Sequence, residues 1–178
     1  ANKLSGSYVK VLSGGDIAII TKEDMVYSTT TGDVDYVADQ IVPTTRIGKD
    51  YAVIRGQTDS NKEFAYVVGT VNGTKINVNG VLFGTVNSMG TLKIPIPSTQ
   101  PITTIAADPT TPSNFYVYHV ASADVEAQLG GAMLPTISVC TGSSQVAFNR
   151  TAAAETNGYF KCYLNILVRT GSETAMKL

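Results

Sequence analysis

Gly69-Thr70-Val71-Asn72-Gly73-Thr74-Lys75-Ile76-Asn77-Val78-Asn79-Gly80-Val81-Leu82-Phe83-Gly84-Thr85-Val86 contains two Asn-Gly pairs on either side of a short run of alternating side chains. Asn-Gly supplies the two positive φ values that a type I′ turn requires, and that turn matches the twist of paired strands. The segment between the pairs, Thr74 to Val78, has the length of an ordinary strand. The stretch therefore predicts a tight three-stranded meander, and with it an antiparallel β fold.

Strand signals continue in both directions from this point. Asp50 to Arg55, Glu63 to Thr70, Thr91 to Ile96 and Phe115 to Val120 are rich in the β-branched and aromatic residues that fit a pleated surface. Upstream, Tyr8 to Leu12 and Asp16 to Ile20 flank Ser13-Gly14-Gly15 and read as an opening hairpin. Pro95, Pro97, Pro101, Pro109 and Pro112 crowd the region from Leu92 to Asn114, which excludes a helix interior and predicts edge strand and loop there. The single helical candidate runs from Ala121 to Leu129 and would end at Gly130-Gly131. A last hairpin joins Gln145 to Arg150 with Gly158 to Arg169, where Phe160, Cys162, Leu164 and Ile166 share one face. Many short strands with frequent turns indicate an all-β, antiparallel β-sandwich or jelly roll with at most one short helix. No linker divides the chain, so residues 1–178 are expected to form a single domain.

Composition narrows the function. Lys and Arg number 13 against 14 Asp and Glu, with no block of like charge, which argues against a nucleic-acid partner because phosphate contacts need clustered cations. A hydrophobic fraction of 43% against a charged fraction of 15% is the balance of a folding chain and not of a disordered one. No apolar run approaches the roughly 20 residues needed to cross a bilayer, so this fragment is not expected to insert into a membrane. Ala1 to Gly6 lacks the hydrophobic stretch of a signal peptide, and any export signal or anchor is expected outside the sequence.

The inventory of reactive groups is thin. His119 is the single histidine, so histidine-pair metal motifs are impossible, and neither a Gly-x-Ser-x-Gly elbow nor a phosphate-binding Gly-rich loop is present. His119 alternates with Phe115 and Val117 on one face of its strand, and without a nucleophile beside it in sequence a structural role outweighs that of a catalytic base. No catalytic residue and no cofactor is expected. The acidic set that could hold calcium is Asp33, Asp35 and Asp39, although the Gly and Glu offsets of an EF-hand are missing and ordinary Asx-turns account for such residues. Cys140 and Cys162 are the two cysteines. If they pair, closing the loop would restrict the unfolded chain by on the order of 3 kcal/mol; unpaired, they would serve as small buried apolar groups. Asn72-Gly73-Thr74 and Asn149-Arg150-Thr151 match the N-glycosylation pattern, but the first is better explained as a turn. The nine tyrosines could stack on sugars, though strand packing accounts for most of them.

Several segments carry a family resemblance. They are Ala38 to Pro43, Gly48 to Tyr51, Glu63 to Val68 leading into Asn72 to Ile76, Ile105 to Asp108, and Phe115 to Val120. More distinctive are Gly130-Gly131-Ala132-Met133-Leu134-Pro135, Cys140-Thr141-Gly142-Ser143, Val146 to Arg150 and Tyr163 to Val168. In their order the chain resembles the IgGFc-binding-protein N-terminal-like domain of large bacterial surface proteins, from about Val34 onward. The resemblance implies a β-rich extracellular module of long, repeat-built proteins, including adhesins of gliding bacteria. It carries no catalytic residue to transfer, and a shared fold does not fix the ligand.

The expected function is adhesion or display at a bacterial cell surface without catalysis. Neighbouring domains of a longer surface protein, and a protein or glycan ligand, are the expected partners. Binding would fall to loops on a rigid scaffold, at Thr29 to Val37, Gln57 to Lys62, Ser98 to Asn114 and Ala121 to Pro135. Two alternatives remain: a structural spacer of a surface filament joined through edge strands, and a carbohydrate-binding module with a row of exposed tyrosines.

Overall fold

A computed structural model of the protein describes residues 7–27, 34–55, 63–122 and 129–137. The chain divides into two compact units, Ala1–Thr141 and Gly142–Leu178, and every described residue lies in the first. Its strands are β1 (Ile20–Tyr27), β2 (Val34–Gln40), β3 (Asp50–Ile54), β4 (Phe64–Gly69), β5 (Thr74–Val78), β6 (Val81–Val86), β7 (Thr91–Pro95), β8 (Ile102–Ala107), β9 (Phe115–Ser122) and β10 (Leu129–Met133). A 3-10 turn spans Thr44–Arg46. All strand pairs are antiparallel.

The strands form a two-stranded ribbon, β1-β2, and two four-stranded sheets with orders β10-β9-β4-β7 and β3-β8-β5-β6. The four-stranded sheets share one core, which makes the unit a sandwich. Tyr51, Val53, Ile76, Val86 and Ile105 come from one sheet, and Ala65, Val67, Ile94, Phe115 and Val117 from the other. Period-two alternation places these side chains inward: in β4, Ala65 and Val67 are buried while Phe64, Tyr66 and Val68 are half-buried. Each large aliphatic or aromatic residue so buried contributes about 1.5–3 kcal/mol.

The expected all-β sandwich is present, but several local readings need correction. The Asn79-Gly80 turn joins β5 to β6 with both residues at positive φ, 50° and 80°, as read from the sequence. Asn72-Gly73 does not make the second hairpin of a meander. It carries the chain across the sandwich from β4 in one sheet to β5 in the other. An Asn-Gly pair fixes a tight reversal, not the identity of the strands on either side.

The opening hairpin of Tyr8 to Leu12 with Asp16 to Ile20 is also absent. Residues 7–19 are not strand, and Leu12 is 90% exposed, because no sheet offers these side chains a buried face. The first hairpin is instead β1-β2, so Val34 to Val37 belong to a strand and not to a loop. The proline-rich region does contain an edge strand, β7 with Pro95, but it also hides β8, an interior strand paired with both β3 and β5. The candidate helix fails at both ends: Ala121 and Ser122 finish β9, and Leu129 opens β10. Gly130-Gly131, read as a helix stop, pairs with Ala121 and Val120 inside the sheet. The hairpin of Gln145 to Arg150 with Gly158 to Arg169, and both cysteines, lie outside the described residues.

One corner joins the sheets by polar bonds. The Tyr51 hydroxyl accepts from the Gly48 N–H at 3.1 Å and donates to the Phe115 carbonyl at 2.5 Å, and the two rings pack 5.1 Å apart. Phe115 N–H in turn donates to the Gly48 carbonyl at 3.0 Å. Thr136 closes the corner by donating to the Asp50 carbonyl, 2.8 Å away. Gly48 has to be glycine here, because a Cβ would lie 2.2 Å from the Thr136 hydroxyl oxygen.

Burial raises the Tyr51 phenol from its ordinary 10.0 to about 12. The folded state therefore holds the proton more tightly than the unfolded chain does. Stability carried by Tyr51 is complete below pH 10 and is lost as pH climbs from 10 towards 12. Tyr51→Phe should cost about 2 kcal/mol, because the Gly48 donor and the Phe115 acceptor lose their buried partner. Urea denaturation should show this loss at pH 7, together with a shallower decline of stability across the alkaline window than in the parent.

Candidate functional site

Strands β4, β6 and β8 finish, and β3, β5, β7 and β9 begin, at the same end of the sandwich. That end collects the connections 70–73, 87–90 and 108–114. They are tied to one another by bonds that use backbone atoms. The Asn72 side-chain oxygen accepts from the Ser88 N–H, and the Asn87 side-chain oxygen accepts from the Gly73 N–H, each at 3.0 Å. Gly69 donates to the Gly90 carbonyl at 3.0 Å and accepts from Met89 at 2.9 Å. A Cβ on Gly69 would lie 2.4 Å from the Asn87 carbonyl oxygen, so only glycine lets the loops approach this closely.

The third connection is held in the same way. Thr70 donates its hydroxyl to the Asn114 carbonyl, and the Thr111 hydroxyl accepts from the Lys75 N–H at 3.0 Å. Asp108 accepts from the Thr110 hydroxyl and N–H and from the Asn77 amide, bonds that hold its carboxyl below the usual range. With so many backbone groups committed, the loops are preorganised. Val71 and Met89 remain outside, 50% and 51% exposed. At the same end of the sandwich lies an open cleft of about 510 Å³ lined by Ile47, Gly48, Lys49, Asp50, Ala106, Ala107 and Asn114. Such an arrangement can bind through shape, amide and hydroxyl groups, and a few apolar contacts.

The opposite end contains a buried polar cluster. Glu63 is fully buried, and its Oε1 lies 2.6 Å from His119 Nε2, while Arg55 Nε is 4.0 Å from Oε2. His119 lies opposite Ala65 and shares the inward face of Phe115 and Val117, as the alternation predicted. The carboxylate and imidazole serve each other inside the fold and do not line the cleft.

On the outer face of the β10-β9-β4-β7 sheet, Tyr66 lies opposite Tyr118 and Val68 opposite Tyr116. Lys93 Nζ sits 3.6 Å from the Phe64 ring centroid and 5.9 Å from that of Tyr66. These rings are half-buried, and Tyr118 covers Gly131, whose Cβ would meet the phenol oxygen. They form a packed ladder instead of the open row expected of a sugar-binding face.

The residues picked out from sequence are scattered. Asp35 and Asp39 lie in β2, and Asp33 is outside the described residues. The Asp39 carboxylate accepts from the Gln40 N–H at 2.7 Å and from the Met133 N–H at 2.5 Å, so it ties β2 to β10. Among the described residues no cluster of His, Cys, Asp and Glu could hold a metal. Of the loops expected to bind, 109–114 reaches the clasped end, 98–101 sits at the other end, and 57–62 is outside the described residues. Connections 70–73 and 87–90 were missed, although Asn72, Asn87 and Ser88 are the turn-forming, backbone-bonding residue types that could have marked them. Among the described residues no helix is long and apolar enough to cross a membrane.

A family model described as IgGFc binding protein matches residues 1–178, the whole chain. Neither the curated proteins nor the solved structures contain a match to it.

Removing the buried carboxylate should reveal the structural role of the far cluster. Glu63→Leu takes the counter-charge from Arg55 and the hydrogen-bond partner from His119 and should destabilise the fold by about 3 kcal/mol. Glu63→Gln, which keeps a polar group facing Nε2, should lose less. Chemical denaturation of both variants checks the order.

Proposed function

The chain belongs to the IgGFc binding protein family, and from that premise we propose that it is a non-catalytic, protein-binding module of an extracellular protein. In its native setting it serves a bacterial cell-surface adhesin, flanked by neighbouring domains of the same long chain. The ligand docks on the clasped loop end, where residues 70–73, 87–90 and 108–114 form one surface.

The observation that carries this reading is the reciprocal Asn72 and Asn87 clasp, which fixes two loops while leaving Val71 and Met89 exposed at their tips. Rigid loops bind without a large ordering cost, and exposed apolar side chains on a rigid frame supply anchors. The thin set of titratable groups at the cleft supports binding over catalysis. The name of the family makes antibody Fc the first ligand to try, with secreted glycoproteins and a glycan array beside it.

The purified chain, immobilised and probed with these ligands, should show saturable binding to a protein ligand. Val71→Asp and Met89→Asp should each weaken that binding roughly tenfold or more, with the melting temperature unchanged. Absence of binding to every protein probe, or binding indifferent to both substitutions, overturns the assignment.

A further inference from the structure

The two asparagines of the clasp are also its most labile groups. Asn72 precedes Gly73, and Asn87 precedes Ser88. An asparagine can lose its amide without an enzyme when the main-chain nitrogen of the next residue attacks its side chain, and glycine, with no side chain, hinders that nitrogen least. For Asn72 the attacking atom is the Gly73 nitrogen, and for Asn87 it is the Ser88 nitrogen. The Gly73 N–H donates to Asn87 Oδ1 and the Ser88 N–H to Asn72 Oδ1, each at 3.0 Å. Each asparagine therefore occupies the nitrogen that would attack its partner.

We propose that Asn72 is a latent deamidation site at the loop end, kept closed by its clasp with Asn87. In the reaction the Gly73 nitrogen bonds to the Asn72 side-chain carbonyl carbon and gives its proton to solvent base. The bond from that carbon to the side-chain nitrogen breaks, and the nitrogen takes a proton from water and leaves as ammonia. Water then opens the cyclic imide at either carbonyl, which leaves aspartate or isoaspartate at position 72. Closing the ring requires the Gly73 N–H to leave Asn87 and the Asn72 carboxamide to leave Ser88, so both arms of the clasp must open first.

Asn79-Gly80 supplies an internal comparison. It is the same dipeptide, but its restraint is independent of the clasp: Asn79 Nδ2 donates to Gln100 Oε1 at 2.7 Å, and Asn79 Oδ1 accepts from the Thr104 N–H at 2.8 Å. Conversion at position 72 would place a negative charge beside Val71, and the isoaspartate form would lengthen the main chain there by one carbon. Weaker ligand binding by an aged chain rests on the reading of this end as the binding surface; the chemistry does not.

Incubation of the folded chain in mildly alkaline buffer, followed by tryptic peptide mapping, tests the proposal. Asn72 falls in the peptide Glu63–Lys75, and Asn79 and Asn87 fall in Ile76–Lys93. Asn72 should convert slowly in the folded parent and, in denaturant, as fast as in the isolated peptide. Asn87→Ala should raise the rate at Asn72 about tenfold or more and leave Asn79 unchanged. Asn87→Asp, which keeps an oxygen for the Gly73 N–H, should return Asn72 to the slow rate. Asn72→Ala should in turn speed conversion at Asn87. Equal rates at Asn72 in the parent and in Asn87→Ala, a rise shared by Asn79, or no rescue by Asn87→Asp overturns the proposal. Should Asn87→Ala fail to fold, the parent decides: in urea below its unfolding transition, conversion at Asn72 should rise in step with hydrogen exchange at the Gly73 amide, and conversion that does not follow exchange overturns the proposal. Ligand binding enters none of these measurements.

Discussion

The Tyr51 hydroxyl is the point at which the sandwich is fixed. It sits between a donor just before β3 and an acceptor at the start of β9, strands of opposite sheets, and it does so in the dry core beside the Phe115 ring. Hydrophobic burial pulls the sheets together but has no direction, so it would tolerate sliding of one over the other. Hydrogen bonds between buried groups do not tolerate it, because a displaced partner is left without water or protein. The Gly48 to Phe115 bridge and the Thr136 hydroxyl build outward from that point. The loop end lies on the same side of the molecule, and its geometry inherits the register set at this corner.

The two ends of the unit illustrate different uses of polar groups. At the far end Glu63 and His119 bond each other inside the fold, with the Arg55 guanidinium beside them as a charge partner 4.0 Å away. At the loop end Asn72, Asn87 and Thr70 bond the backbone of neighbouring turns, Thr111 that of β5 and Asp108 that of its own turn, which leaves Val71 and Met89 uncommitted at the tips. A binding surface that needs rigidity without a buried charge is better served by the second arrangement.

Legibility of the sequence followed the range of the interactions. Alternation in β3, β4, β5, β7 and β9 could be read because each strand has its own inward side chains, and Asn79-Gly80 could be read because turn chemistry is local. The Asn72-Gly73 step was misread because which sheet the next strand joins is decided by partners far away in sequence. β8 was hidden by its flanking prolines, although Ile102 to Ala107 contains the β-branched residues of a strand. The early apolar segments misled in the opposite way: Tyr8 to Leu12 has strand composition but no partner face. The candidate site was legible only in part, since a clasp between residues 72 and 88 leaves no pattern along the chain, and Glu63 as the companion of His119 is visible only after β4 and β9 are paired.

The clasp separates what holds the loops from what meets the solvent. Asparagine amides and main-chain atoms do the holding, while Val71 and Met89 take no side-chain part in it. Val71 can change to many residue types at little cost to folding, whereas Met89, in the left-handed region at φ 62°, favours Gly, Asn and Asp. A change at the Val71 tip would thus alter the exposed surface and leave the frame beneath it intact.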